Sequence, residues 1–411
     1  MSWLYRTLIR PALFRHEAER IHDITLRGLG WVARHDLVCE ACAACLGAAP
    51  LEVEAFGLTF PNPVGLAAGM DKHASAVPAW AALGFGFSEL GGVTWHAQPG
   101  NPPPRVFRII GDRAIINRMG FNNDGAAAVA ERLAAWRAAG RWPRHPVGIN
   151  LGKSKITPLE QAARDYADSF RVLWPHADFF VVNVSSPNTP NLRQLQDKAA
   201  LGEILSALDE VNTAQAQAAP LARSLSLPPG GVAGAPAASS SSPARVAGPK
   251  PILVKVAPDL SFEALDEIVE LVVPHRLAGL VATNTTLARP DGPPGAVSHL
   301  YAEAGGLSGL PLRARSTEVI RHLHRQTGGR LPIIGVGGVF SAADAWEKIT
   351  NGATLIQVYT GLVYEGPTLA RELVAGLRQR LEAEGLDRLQ DAVGLALKSA
   401  SSASAPPARS V

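Results

Sequence analysis

The chain has 411 residues, 47% hydrophobic and only 18% charged, which excludes a disordered chain and supplies enough apolar side chains for a large core. Its formal net charge is 39 − 36 = +3, too near neutrality for a protein that binds nucleic acid by neutralising phosphates. No run of eighteen apolar residues occurs, Arg6, Arg10 and Arg15 interrupt the N-terminus before any signal-like cleavage site, and three clustered cysteines give no long-range disulfide framework; the expectation is a soluble protein of a reducing compartment, or one resting on a membrane surface.

In chain order, residues 1–45 form a first unit. Trp3, Leu4, Tyr5, Leu8, Ile9, Leu13 and Phe14 alternate with Arg6, Arg10 and Arg15, and no acid precedes Glu17. That pattern suits an interfacial amphipathic segment or, equally, a helix packed on a larger domain. Cys39, Cys42 and Cys45 lack the fourth thiolate of a cluster site and read as packing residues at helical spacing, so no metal is expected.

From residue 46 to 397, short apolar runs alternate with longer helical patterns. Strands are predicted at 64–69, 87–94, 147–152, 178–185, 252–257, 279–285, 332–339 and 355–361. Helices are predicted at 74–83, 122–139, 159–174, 198–213, 261–273, 312–326, 341–351 and 367–383. Nearly continuous apolar strands are those buried on both faces, so eight β/α units indicate an α/β protein with a (β/α)8 TIM barrel. A doubly wound open sheet is the alternative, but no GxGxxG turn follows the first strand. Residues 214–249 contain 27 Ala, Gly, Pro or Ser in 36 and no acid, and are expected to be a flexible insertion; residues 398–411 repeat that composition and are expected to be a disordered tail.

In such a barrel the active site lies at the C-terminal strand ends. Those ends carry Gly69-Met70-Asp71-Lys72, Asn150, Asn183 through Thr189, Lys255, Thr283 through Thr286, Gly335 through Gly338, and Tyr359-Thr360-Gly361. Amides, hydroxyls and lysines dominate, with only Asp71 and Asp259 as nearby carboxylates. Glycoside or metal-dependent hydrolysis is therefore disfavoured. A planar, phosphorylated cofactor beside an anionic planar substrate suits this inventory.

The stretches GLAAGMDK (65–72), GNPPPRVFR (100–108), INRMGFNN (116–123), GINLGK (148–153), VNVSSPNTPNLR (182–193), VKVAPDL (254–260), ATNTT (282–286), GGLSG (305–309), LPIIGVGG (331–338) and QVYTG (357–361) stand in one order. Together they strongly resemble the class 2, quinone-reducing, membrane-associated dihydroorotate dehydrogenases of bacterial type, and the N-terminal region is similar too. The resemblance implies an FMN-dependent enzyme of pyrimidine (UMP) biosynthesis that oxidises (S)-dihydroorotate to orotate and reduces a membrane quinone. It further implies a peripheral monomer on the cytoplasmic side of the inner membrane, meeting an anionic lipid surface.

By position within those motifs, the resemblance makes Ser186 the base for the C5 proton, where class 1 relatives use cysteine. Substrate binding falls to Lys72, Asn117, Arg118, Met119, Gly120, Phe121, Asn183, Asn188, Asn284 and Thr285. FMN falls to Ala68, Gly69, Met70, Asp71, Lys72, Gly92, Asn150, Asn183, Lys255, Thr283, Gly309, Gly338, Tyr359 and Thr360, with Lys255 stabilising charge near flavin N1. His22, Arg108 and Tyr359 fall at the quinone tunnel. Gly92 departs from the family pattern, which has Thr or Ser there, so one hydroxyl contact to FMN is missing. Another FMN barrel, such as a dihydropyrimidine or dihydrouridine reductase, would need a Cys acid at position 186 or a basic tRNA-binding face. A catalytically silent flavin-binding scaffold is the remaining alternative.

Overall fold

The structure, a computed structural model, describes residues 2–225, 248–290 and 299–398. Eight parallel strands close a barrel: β1 (Val64–Leu66), β2 (Phe87–Val93), β3 (Val147–Leu151), β4 (Phe179–Asn183), β5 (Ile252–Val256), β6 (Gly279–Ala282), β7 (Ile333–Val336) and β8 (Leu355–Val358). Each lies inside its predicted window, and β8 returns to β1 through the pairs Ile356–Val64 and Val358–Leu66. Every residue of these strands is buried, because helices cover the outside and side chains fill the inside.

Helix α1 (Ala18–Ala33) and α2 (Asp36–Leu46) pack on each other and on α3 (Val77–Ala82), the helix after β1. The remaining outer helices are α4 (Ala126–Ala138), α5 (Ala162–Leu173), α6 (Lys198–Leu225), α7 (Phe262–Glu270), α8 (Arg313–Gln326), α9 (Ala342–Thr350) and α10 (Leu369–Ala383). Local chemistry starts several of them. Ser261 accepts from the Ala264 N–H ahead of α7, and Ser341 with Asp344 forms a reciprocal capping box on α9.

Helix α6 corrects one expectation: it runs through residues 214–225, which were assigned to the flexible insertion. Those residues are mostly Ala, Gln, Leu and Arg, strong helix formers that extend a helix already nucleated upstream. The chain is rejoined at Lys250, whose N–H and C=O both bond the Asn212 amide at 2.9 Å. Of the rest of that assignment, 226–249, residues 226–247 lie outside the described residues, as does the tail beyond 398.

Two small sheets frame the barrel. A hairpin of Val53–Ala55 and Leu58–Phe60 precedes β1, and Phe60 stacks edge-on against Phe87 at the foot of β2. At the opposite end, strands Val106–Ile109, Ala114–Asn117 and Gly306–Gly309 form an antiparallel sheet whose residues Asn117, Ser308 and Gly309 reach the C-terminal strand ends. The middle member pairs with both others, so segments some 190 residues apart in sequence are held as one wall.

Candidate active site

A cavity of about 970 Å³ opens at the C-terminal end of the barrel, and all eight strand ends or following loops line it. From β1 come Ala68, Gly69 and Lys72; from β2, Gly92; from β3, Asn150; from β4, Asn183, Ser186 and Asn188. From β5 comes Lys255; from β6, Thr283, Asn284 and Thr285; from β7, Gly337 and Gly338; from β8, Gln357, Tyr359 and Thr360. The antiparallel sheet and the loop after it add Asn117, Met119, Gly120, Phe121, Ser308 and Gly309.

The floor is one hydrogen-bond chain anchored by a residue the sequence reading passed over. Glu89, fully buried on β2, accepts from Asn150 Nδ2 at 2.6 Å and from Gln357 Nε2 at 2.5 Å. Asn150 Oδ1 then accepts from Asn183 Nδ2 at 2.8 Å, and Asn183 Oδ1 from Asn284 Nδ2 at 3.2 Å. A carboxylate only accepts, so its position fixes which way each amide points in turn. The sequence signal for Glu89 was a lone acid inside an otherwise apolar strand; Gln357 is the matching lone amide in β8.

The loop after β4 is held over this floor. Asn188 N–H donates to Ser186 Oγ at 3.3 Å, and Asn188 Nδ2 reaches Asn117 Oδ1 at 3.1 Å. Arg193 pins the loop from outside, donating to Ser185 O at 3.1 Å, Asp259 Oδ2 at 2.7 Å and Thr285 O at 3.1 Å. Two lysines supply the only charges on the cavity lining among the described residues. Lys72 Nζ lies 3.3 Å from Met119 Sδ, and burial pulls its pKa down to about 8 against the opposing pull of Glu19. Lys255 is 5% exposed, and its ammonium has no hydrogen bond or ion pair among the described residues.

Three residues assigned to this site lie elsewhere. Met70 faces the second cavity described below. The Asp71 carboxylate is consumed by the Ser75 and Ala76 N–H groups at 2.8 and 2.9 Å and by Trp80 Nε1 at 3.1 Å, which shapes the turn into α3. Arg118 turns outward to Glu303 at 2.7 Å, with its guanidinium over the Phe107 ring. In each case motif adjacency placed the residue near the site, and competing partners took the side chain. Gly92 does line the cavity, and a Cβ there would sit 2.6 Å from the Phe121 ring. The ring therefore fills the space that a hydroxyl-bearing side chain would need.

The second cavity, of about 1370 Å³ and mostly apolar, lies between the barrel, α1 and the N-terminal residues Tyr5, Ile9, Leu13 and Phe14. His22 and Arg108 line it, and Met119 and Tyr359 line both cavities. Burial pulls the His22 pKa down to about 3, with Lys72 and His73 adding to the effect, so its imidazole is neutral near pH 7. The Arg108 guanidinium stands 4.4 Å over the Phe14 ring and donates to the His16 carbonyl. Burial pushes the Tyr359 phenol up to about 12, keeping it a donor.

Residues 50–381 match the family described as dihydroorotate dehydrogenase. The chain belongs to the dihydroorotate dehydrogenase family. It is 52% identical over 395 residues to a protein of Gloeobacter violaceus named dihydroorotate dehydrogenase (quinone), covering 96% of this chain and 99% of that one. A protein of the same name from Nostoc punctiforme is 48% identical over 408 residues, with 96% and 99% covered. Among solved structures, the dihydroorotate dehydrogenase of Eimeria tenella in complex with ferulenol is similar with a TM-score of 0.78 and 35% identity, covering 92% of this chain and 96% of that one.

Proposed function

We propose that this chain oxidises (S)-dihydroorotate to orotate in the polar cavity and delivers the electrons, by way of bound FMN, to a membrane quinone in the apolar one. The observation that carries this reading is the wall the two cavities share: Met119 and Tyr359 border a polar, lysine-bearing chamber on one side and a mainly hydrocarbon chamber on the other. A polar anion and a lipid-soluble ring can thus be served by one group between them without competing for one site.

The residues fit FMN. Gln357 Oε1, Thr285 Oγ1 and Asn188 Oδ1 are buried without a partner among the described residues, and no residue among them bonds the Lys255 ammonium, so the cavity offers polar groups for a ligand to satisfy. Ala68, Gly69, Gly92, Asn150, Asn183, Lys255 and Thr283 would hold the ring and ribityl chain, and Gly309, Gly338, Tyr359 and Thr360 the phosphate end. When bound, the flavin supplies a hydride acceptor. On the substrate side Asn117, Asn183, Asn188, Asn284 and Thr285 would read the imide edge, Met119, Gly120 and Phe121 would cover the ring, and Lys72 would meet the carboxylate. Ser186 would take the C5 proton.

The test is anaerobic addition of dihydroorotate to the purified chain. Flavin absorbance should bleach with release of one orotate per flavin, and a hydrophobic quinone should restore the colour. A flavin that bleaches only with a nicotinamide nucleotide would point to another FMN barrel, and one that never bleaches to a silent binding scaffold.

Lys72 gives the binding step a pH dependence of definite sign. Its ammonium is present below about 8 and lost above it. An oxyanion held against it raises its pKa in the complex, so orotate affinity should be level below pH 8 and fall about tenfold per unit above it, until the complex also deprotonates. Orotate titrations between pH 6.5 and 10, followed by flavin absorbance, check this; affinity level to pH 9.5 would remove Lys72 from carboxylate binding.

Membrane attachment belongs to the same proposal. Trp3 (70% exposed), Leu4, Leu8 and Ile9 face outward beside the apolar cavity. Among the described residues no helix is long and apolar enough to cross a membrane. Two of the arginines expected to meet lipid have other work: Arg6 pairs with Glu365 at 2.6 Å, and Arg10 donates to Tyr364 O at 3.0 Å, tying the segment to the barrel. Apolar insertion therefore carries more of the attachment than basic charge. One chain supplies the whole site, so a monomer suffices, and three free thiols suit the reducing, cytoplasmic side of a bacterial inner membrane.

A further inference from the structure

Behind the glycine turn after β7 lies a lysine that lines neither cavity. Lys348, on α9, is fully buried, and its Nζ donates to Ser316 Oγ at 2.5 Å and Thr317 Oγ1 at 3.2 Å, both on α8. Among the described residues no carboxylate bonds it. Asp344, one turn earlier, is occupied by Arg313, the Ser341 hydroxyl and the Phe340 N–H, while Glu347 lies 3.7 Å from Arg313. A buried ammonium with no carboxylate bonded to it is costly, and burial pulls this one down to about 7 against the weaker opposing pull of Glu347 and Asp344. Such a group persists where something nearby repays it.

The bonds lead from Lys348 toward the cavity. Because Nζ donates to the Ser316 hydroxyl, that hydroxyl is left to donate its one proton, which Gly337 O at 3.1 Å and Arg313 O at 3.0 Å share. The Gly337–Gly338 peptide is trans, so a carbonyl held toward Ser316 turns the Gly338 N–H away from Ser316, and both glycines line the cavity. No acceptor among the described residues takes that N–H. Both glycines have positive φ (121° and 72°), and a Cβ on Gly338 would strike the Arg313 backbone, so the turn has no room to re-form with another residue.

We propose that Lys348 is a positioning residue for the phosphate of the cofactor: through Ser316 it holds the Gly337–Gly338 peptide with its N–H aimed at the anion, and it sets a buried, only partly compensated ammonium behind that peptide. This rests on the FMN reading above. The dianionic end of the cofactor then completes the counter-charge, and discrimination between phosphorylated and unphosphorylated flavin is built partly outside the cavity.

The test compares FMN with riboflavin, which lacks only the phosphate, by fluorescence titration of the full-length chain stripped of flavin. Lys348→Met should weaken FMN binding about 10- to 100-fold and leave riboflavin within about twofold. Ser316→Ala, which keeps the ammonium but cuts the link to Gly337, should lose part of the same selectivity. Equal losses for both flavins would mean that Lys348 merely holds α8 and α9 together, and that result, or no change in either, overturns the inference. If Lys348→Met does not fold, Ser316→Ala decides, an unchanged FMN-to-riboflavin ratio counting against it. A wild-type chain that binds neither flavin removes the FMN reading itself, whereas wild-type selectivity that survives both substitutions removes only this inference.

Discussion

Replacing Ser186 with alanine should slow reduction of the bound flavin by dihydroorotate by about 10²- to 10⁴-fold, the usual contribution of a positioned general base. Among the described residues the cavity lining offers hydroxyls and lysines but no carboxylate, imidazole or thiol as candidates for proton removal. Ser186 is 7% exposed, and its Oγ is held in place by the Asn188 N–H. The rival is Lys72, whose pKa burial lowers to about 8, but in the proposed binding mode its ammonium meets the substrate carboxylate and is not a base while protonated. Alanine removes only the hydroxyl, so flavin content and orotate affinity should change little. Anaerobic stopped-flow spectroscopy measures the step directly. A reduction rate equal to that of the unaltered chain would take Ser186 out of the mechanism and leave Lys72 to be tested in its place.

Removal of residues 1–16 should cost quinone reduction about a hundredfold while dihydroorotate still bleaches the flavin at its normal rate. The segment supplies Tyr5, Ile9, Leu13 and Phe14 to the apolar cavity, whereas none of the described residues before Ala67 lines the polar one. Uncovering about 100 Å² of a bound quinone at about 25 cal/mol per Å² forfeits about 2.5 kcal/mol, which is close to a hundredfold in affinity. The cut stops short of α1, whose Leu26 and Ala33 belong to the barrel-side core and whose Glu19 grips Arg105 at 2.6 Å. The barrel should therefore stay folded. Loss of liposome binding should accompany the kinetic defect, because Trp3 and Leu8 leave with the segment. Steady-state assays with a hydrophobic quinone, set beside single-turnover bleaching, separate the two half-reactions; full turnover by the truncated chain would require another acceptor site.

The barrel was legible in the chain because its signal is local. Strands buried on both faces must be apolar at nearly every position, and eight such runs separated by helical patterns leave few architectures open. The cavity residues were legible because short motifs fix their place at strand ends, where Asn150, Asn183, Lys255 and Thr283 are indeed found lining one chamber. What the tertiary structure decided is how side chains compete for partners. Asp71 and Arg118 sit within the same motifs as true lining residues, yet three neighbouring donors claim the first and Glu303 the second. Glu89 and Gln357 are separated by 268 positions and meet only when β2 and β8 flank β1 across the closed barrel. The extent of α6, the use of Arg6 as a tether rather than a lipid contact, and the link from Lys348 through Ser316 to the glycine turn have the same origin. Periodicity records which face of an element is buried, whereas a hydrogen bond between distant residues leaves no trace in either residue's neighbours along the chain.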